Sequence, residues 1–252
     1  MKINLSLIGR PGSGKGTYGK ELSKALNCPL VVMGDVLRRH VQLGTDIGKE
    51  VDDYQRQGKL ADDYLVARAL LEHLKELEYL EGLKTTRFGF ILDGFPRTST
   101  QAKLLLPQKN KDEGELLSKI LWPQELKTSF AVNIEVPDDI CIGKMKGRRK
   151  CLKCGESFNV TNIDTPEGFY MPPKLPDPYP CDQCDMDKDW EKRIDDTEEI
   201  FVKRMKEFHE QSSIVTQLFA KHGKLVEFIP YNGVDDMPIL EKIVKDKANS
   251  TR

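Results

Sequence analysis

The segment Gly9-Arg10-Pro11-Gly12-Ser13-Gly14-Lys15-Gly16-Thr17 constrains this chain more than any other. It follows a short apolar-rich run, Ile3 to Ile8, and leads into a segment with helical periodicity. A strand, a glycine loop and a helix start in that order form a cradle for nucleotide phosphates. Successive backbone N–H groups can converge on one anion only where no Cβ obstructs them. Gly12, Ser13 and Gly14 are the candidate cradle, Lys15 supplies a mobile charge to the outer phosphates, and Gly16 and Thr17 complete the turn. The general pattern has Ser or Thr directly after the lysine, whereas here Gly16 intervenes.

The rest of the chain fits a sheet that carries such a loop at its rim. Short apolar runs at Leu30 to Val32, Phe88 to Leu92, Phe130 to Val136 and Leu225 to Ile229 read as further buried parallel strands. Glu21 to Leu26, Asp63 to Leu80 and Asp195 to Phe219 are the clearest helices, and Phe201, Met205 and Phe208 recur at helical spacing as core packing. Alternating strands and helices imply an α/β fold: a P-loop NTPase-type five-stranded parallel sheet with helices on both faces. Asp93, at the carboxyl end of the Phe88 run, then stands at the rim, where a water-mediated anchor for Mg²⁺ belongs. The segment from Leu104 to Lys127, charged and broken by Pro107, Gly114 and Pro123, reads as a surface excursion.

Charge and cysteine content narrow the function classes. Lys plus Arg number 39 and Asp plus Glu 40, a net charge of −1, so no overall field favours nucleic acid or an acidic membrane. Phosphate chemistry must therefore use locally placed cations. Apolar residues make up 38% and charged ones 31%, which suits a folded chain with a modest core. Neither a secretory leader nor an apolar run of the ~20 residues a span needs is evident, so a cytoplasmic protein is expected, with mitochondrial placement as the alternative. Cys151-x-x-Cys154 and Cys181-x-x-Cys184, with 26 residues between them, can each offer two thiolates to one tetrahedral ion. Structural Zn²⁺ is the expected occupant, with reduced thiols or disulfides as the alternative. Cys28, Cys141 and the four histidines have no ligand spacing, so buried thiols and helix-surface imidazoles are expected.

Several phrases in order, GRPGSGKGT, GDVLR, GKLADDYLV, ILDGFPRT followed by Gln101, GRR, and RIDDTEE through Arg204, span nearly the whole chain. Together they resemble the adenylate kinases and, more broadly, the nucleoside monophosphate kinases. The resemblance implies transfer of the terminal phosphoryl group of MgATP to AMP, giving two ADP, with Mg²⁺ accompanying the nucleotide. It implies a core formed by residues 1–31, 62–146 and 197–252, a monophosphate-binding helical insert at 32–61 and a zinc-ribbon lid at 147–196. By the same resemblance Lys15 and Arg148 hold the triphosphate and Lys144 lies by the donor base. Arg38 and Arg97 hold the monophosphate, Arg193 and Arg204 bridge the transferring group, and Gln101 reads the acceptor base beside Met33, Ala61 and Gly94. Lys15, Arg97, Arg148, Arg193 and Arg204 form the catalytic set. Met33 replaces the usual hydroxyl residue and Lys144 the usual arginine, so a kinase using GTP, or one with an altered acceptor, is a second expectation. A non-catalytic zinc-ribbon adaptor is a third, which near-zero charge and the lack of an aromatic-basic face argue against. Partners are expected to be ATP and AMP, with no nucleic acid or membrane, and the family-like state is a monomer.

Overall fold

A computed structural model of the chain describes residues 3–56, 61–81, 88–107, 127–153, 155–175, 189–192 and 197–250. Cys154, Cys181, Cys184, Arg193, the Gly58-Lys59-Leu60 backbone and most of the 104–127 excursion lie outside the described residues.

The chain order is β1 (Ile3–Gly9), α1 (Lys15–Leu26), β2 (Leu30–Val32), α2 (Met33–Gln42), α3 (Asp46–Arg56), α4 (Asp63–Glu81), β3 (Phe88–Asp93), α5 (Ser99–Leu105) and β4 (Phe130–Ile134). It continues with α6 (Asp138–Gly147), β5 (Arg148–Cys151), β6 (Ser157–Asn159), β7 (Ile163–Asp164), β8 (Tyr170–Met171), β9 (Trp190–Glu191), α7 (Glu198–Lys221), β10 (Leu225–Phe228) and α8 (Met237–Ser250). The main sheet has five strands in the order β10-β4-β1-β3-β2, every pair parallel. This is the sheet read from the five apolar runs.

Alternation along the central strands creates two core layers, because successive strand side chains point to opposite faces. Leu5 and Leu7 of β1, Ile91 of β3 and Val132 of β4 enter one layer with Tyr18, Leu22 and Leu26 of α1 and Leu240 and Val244 of α8. Ile8, Phe90, Leu92 and Ala131 enter the other, covered by α2, α3, α4 and α5. α7 serves both: Phe201 and Met205 pack into the first layer, Val215 and Phe219 into the second. Its start is set by Thr197, whose hydroxyl accepts from the Ile200 N–H at 3.3 Å, with Glu198 and Glu199 favourably placed in the first turn.

The structure departs from the sequence reading in several places. α1 begins at Lys15 rather than Glu21, since the glycine loop and not side-chain periodicity fixes its first turn. Leu104, Leu105 and Leu106 are buried rather than part of a surface excursion, because α5 carries them into the second layer. Phe208 is only partly buried, unlike Phe201 and Met205. Among the described residues, the part of the chain between Arg148 and Glu191 holds two small antiparallel sheets, β6-β5-β9 and β7-β8. The latter hairpin is tied back to the core, where the Tyr170 N–H donates to the Tyr231 carbonyl at 2.7 Å and Phe169 lies against the Tyr231 ring.

Phe219 is fully buried beside the sheet. Replacing it with alanine is expected to lower unfolding free energy by about 3–5 kcal/mol in urea titration, whereas Val202→Ala, 56% exposed, stays within about 0.5 kcal/mol.

Candidate active site

The loop between β1 and α1 is held by its own backbone. The Ser13 N–H donates to the Arg10 carbonyl at 3.1 Å, and the Thr17 and Tyr18 N–H groups donate to Gly14 at 2.8 and 3.0 Å. Gly12 has φ +82°, and a Cβ there would lie 2.6 Å from the Cys141 carbonyl oxygen of α6, so only glycine satisfies both conformation and space. A Cβ on Gly16, by contrast, would meet Asp93 Oδ2 at an ordinary 3.5 Å, which places the Asp93 carboxylate directly beside the first turn of α1. The Lys15 ammonium arches over the loop and donates to the carbonyls of Gly9 and Arg10, both at 2.7 Å.

Cations from three other elements meet this loop. Burial pushes Lys15 down from 10.5 to about 8; Asp93 and Cys141 oppose that shift, and the charges of Arg97 and Arg204 reinforce it. Burial likewise holds the Asp93 carboxyl above the usual carboxylate range, with Lys15 and Arg97 offsetting only part of the effect and Asp35 adding to it. Arg97 is exposed, yet neighbouring protein mass, followed by repulsion from Arg204, pushes its guanidinium below the usual range; Asp93 and Glu207 favour its charge. A guanidinium stays charged through such a shift. Lys15 of α1, Asp93 of β3, Arg97 before α5 and Arg204 of α7 therefore share one electrostatic neighbourhood at the carboxyl end of the central strands. Ligands bind at that rim in sheets of this class.

The other sequence-predicted residues surround this centre. Lys144 of α6 approaches the position of a Gly14 Cβ to 3.4 Å and contacts Met171 Sδ at 3.6 Å, so it faces the loop and the foot of the β7-β8 hairpin. Arg148 begins β5, paired with Asn159. On the opposite side Met33 is buried at the start of α2, and its Cβ and the Arg97 guanidinium both lie within 4 Å of where a Gly94 Cβ would stand. Ala61 packs against the same layer. Arg38 is turned back along α2 to pair with Asp35.

Gln101 already has partners within the protein. It is buried, its Oε1 accepts from the Arg97 N–H and its Nε2 donates to Asp63 Oδ1, both at 2.8 Å, while Thr98 donates to the other Asp63 oxygen at 2.9 Å. Each end of the amide is engaged once, which leaves one N–H and one carbonyl lone pair of its full complement for a base edge. Asp63 was not singled out from the sequence, nor was Glu207; a carboxylate on a helix carries no local signal of what it faces.

For metals, no group of three or more His, Cys, Asp or Glu side chains clusters as a ligand set among the described residues, which include only Cys151 of the four knuckle cysteines. Cys28 and Cys141 are buried, as expected of small apolar residues. Among the described residues no helix is long and apolar enough to cross a membrane.

A glycine cradle, a lysine over it and arginines facing it across one carboxylate define a P-loop phosphotransferase of the nucleoside monophosphate kinase type. The family model described as "Adenylate kinase" matches residues 7–224. The chain is 33% identical over 234 residues to an "Adenylate kinase" of Acetivibrio thermocellus, covering 93% of this chain and 94% of the relative. It is 32% identical over 244 residues to an "Adenylate kinase" of Methanothrix thermoacetophila, with coverage of 96% and 97%. A "GTP:AMP phosphotransferase" of Plasmodium falciparum is 34% identical over 235 residues, with coverage of 93% and 92%. The chain belongs to the adenylate kinase family.

Because an anion on the loop needs the charged lysine, binding inorganic tripolyphosphate at pH 9 should draw close to one proton per chain from solution. Calorimetry in buffers of different ionisation enthalpy measures that uptake, and none at pH 9 contradicts it. By the same linkage this group alone makes the free fold more stable as pH climbs from about 8 toward 10.5, since there the unfolded chain binds more protons.

Proposed function

We propose that the chain transfers the terminal phosphoryl group of MgATP reversibly to AMP, giving two ADP. The observation that carries this is the convergence of Lys15, Arg97 and Arg204 on the Asp93 rim. One polyanion needs only the loop and its lysine; facing arginines are required when a second must be brought into line with it.

In this reading the loop N–H groups and Lys15 hold the donor's outer phosphates, with Arg148 and Lys144 on its lid side. Arg97, Arg38, Gly94, Met33 and Ala61 receive the acceptor, with Gln101 beside its base. An acceptor phosphate oxygen, already anionic, attacks the terminal phosphorus as the bond to the bridging oxygen breaks, so no strong base is needed. Arg204, with Arg193 outside the described residues, meets the charge spread over the transferring group. Lys15, Arg97 and Arg204 share one cleft, and cations held ready at such a site act more strongly than cations in water. Mg²⁺, when bound with the nucleotide, neutralises phosphate charge, and Asp93 is the carboxylate placed to hold its water shell. We read 32–61 as the acceptor insert and 147–196 as the lid.

We also infer structural zinc in that lid. Cys151 ends β5 fully buried against Phe158 and Trp190, its carbonyl accepts from the Gly155 N–H at 3.0 Å, and Gly155 has φ +74°. A tight turn behind a buried thiol suits one knuckle of a tetrahedral site, with Cys154, Cys181 and Cys184 as its partners. The metal would stiffen the lid and leave phosphoryl transfer to the core.

A coupled assay across ATP and GTP as donors and the common nucleoside monophosphates as acceptors tests the main reading. Turnover with MgATP and AMP is expected; ADP formation only from another pair would replace it. Arg97→Ala and Arg204→Ala are each expected to lower kcat by about 10²–10³. Elemental analysis should find one zinc per chain, and removing it should lower Tm before it lowers activity. A zinc-free preparation that melts unchanged contradicts that assignment.

A further inference from the structure

Arg10 of the phosphate loop points out of the nucleotide cleft, toward α6 and α7. Its Nε donates to Asp138 Oδ1 at 2.6 Å, and the other oxygen of the same carboxylate accepts from His209 Nε2 at 2.8 Å. The Arg10 guanidinium also lies over the Phe208 ring, 5.9 Å from its centroid. Asp138 is the first residue of α6, where the helix dipole favours a negative charge and the backbone fixes the carboxylate's origin. Partial burial disfavours that charge, but hydrogen bonds from His209 and Arg10 outweigh it and hold Asp138 below the usual carboxylate range.

Ion pairs as open as these, with side-chain exposures of 28% for Arg10 and 46% for Asp138, add little to overall stability. Their value lies in where they attach. The Arg10 carbonyl is one of the two seats of the Lys15 ammonium and also accepts from the Ser13 N–H. Two residues on, the loop abuts α6 again, where Gly12 leaves no room for a Cβ against the Cys141 carbonyl. α6 therefore grips the loop by a side chain at Arg10 and by backbone at Gly12. α7, which carries Arg204 into the cleft, joins that grip through His209.

We propose that Asp138 and His209 are positioning residues for the phosphoryl donor: through Arg10 they fix the loop carbonyl that seats Lys15 and couple the loop to the helix bearing Arg204. This rests on the reading of the loop as the MgATP site, and predicts an effect on the donor half of the reaction alone.

The experiment compares Arg10→Ala, His209→Ala, their double variant and His209→Gln, measuring the Kd of MgATP by calorimetry and the KM of AMP at saturating MgATP. Each alanine variant should weaken MgATP three- to tenfold and leave the AMP constant within twofold. The double variant should bind no more weakly than Arg10→Ala, because His209 acts only through the bond already lost. His209→Gln, whose amide can still donate to Asp138, should recover most of the wild-type affinity. Wild-type affinity in His209→Ala, equal loss on both substrates, or additive losses in the double variant would overturn the proposal while leaving the donor site in place. A wild-type chain that binds no MgATP would remove the donor reading and this proposal together.

Discussion

A partly buried lysine arched over a glycine loop, with a partly buried carboxylate beside the same loop, is the arrangement on which the rest of this structure depends. Burial alone works against both charges, pulling Lys15 down and Asp93 up, and their mutual attraction compensates only in part. Such a pair lasts only where the surroundings hold it in place. Here the surroundings are the two core layers, which clamp β1, β3 and β4 side by side and bring their carboxyl ends to one rim. An arriving polyphosphate restores what burial has taken from the lysine. The strained arrangement of the free site is therefore a preference for bound anion.

The same economy governs the arginines. Arg97 and Arg204 repel one another, and the charges of Asp93 and Glu207 offset part of that repulsion at Arg97. Two like charges held close with modest compensation form a site for a doubly charged group. In the function we propose, Lys15 with the loop and α6 serves the donor, and α2, α5 and the turn after β3 serve the acceptor. Asp63 joins these last elements: by holding Thr98 and Gln101 it fixes the backbone from which Arg97 extends.

Much of this was legible in the chain before any fold was drawn. The five strands are continuous apolar runs because a parallel sheet is covered on both faces, and the loop is visible because anion binding by backbone demands glycine at fixed spacing. Lys15, Asp93, Arg97 and Arg204 were found through phrases that bind chemistry to spacing. What escaped was held by tertiary contact. α5, α6 and α8 were not anticipated, being short segments whose apolar faces make sense only against the sheet, and α2 and α3 were expected only as the helical insert that the resemblance implied. Gln101 was read for its amide's chemistry alone, and its bond to Asp63, far away in sequence, has no local signal. His209 was read as a surface imidazole, and nothing near it in the chain announces that Asp138 and Arg10 will meet it. Leu104 to Leu106 were lost within a charged stretch whose composition masked a buried helix end.

The central claim is that one cleft neutralises two nucleotides at once rather than offering two independent sites. Titration with a bisubstrate ligand, two adenosines joined through a chain of phosphates, tests it most directly. One molecule should bind per chain, displace MgATP and AMP together, and lose most of its affinity when either Lys15 or Arg97 is neutralised. Binding of two molecules per chain, or displacement of only one nucleotide, would contradict it.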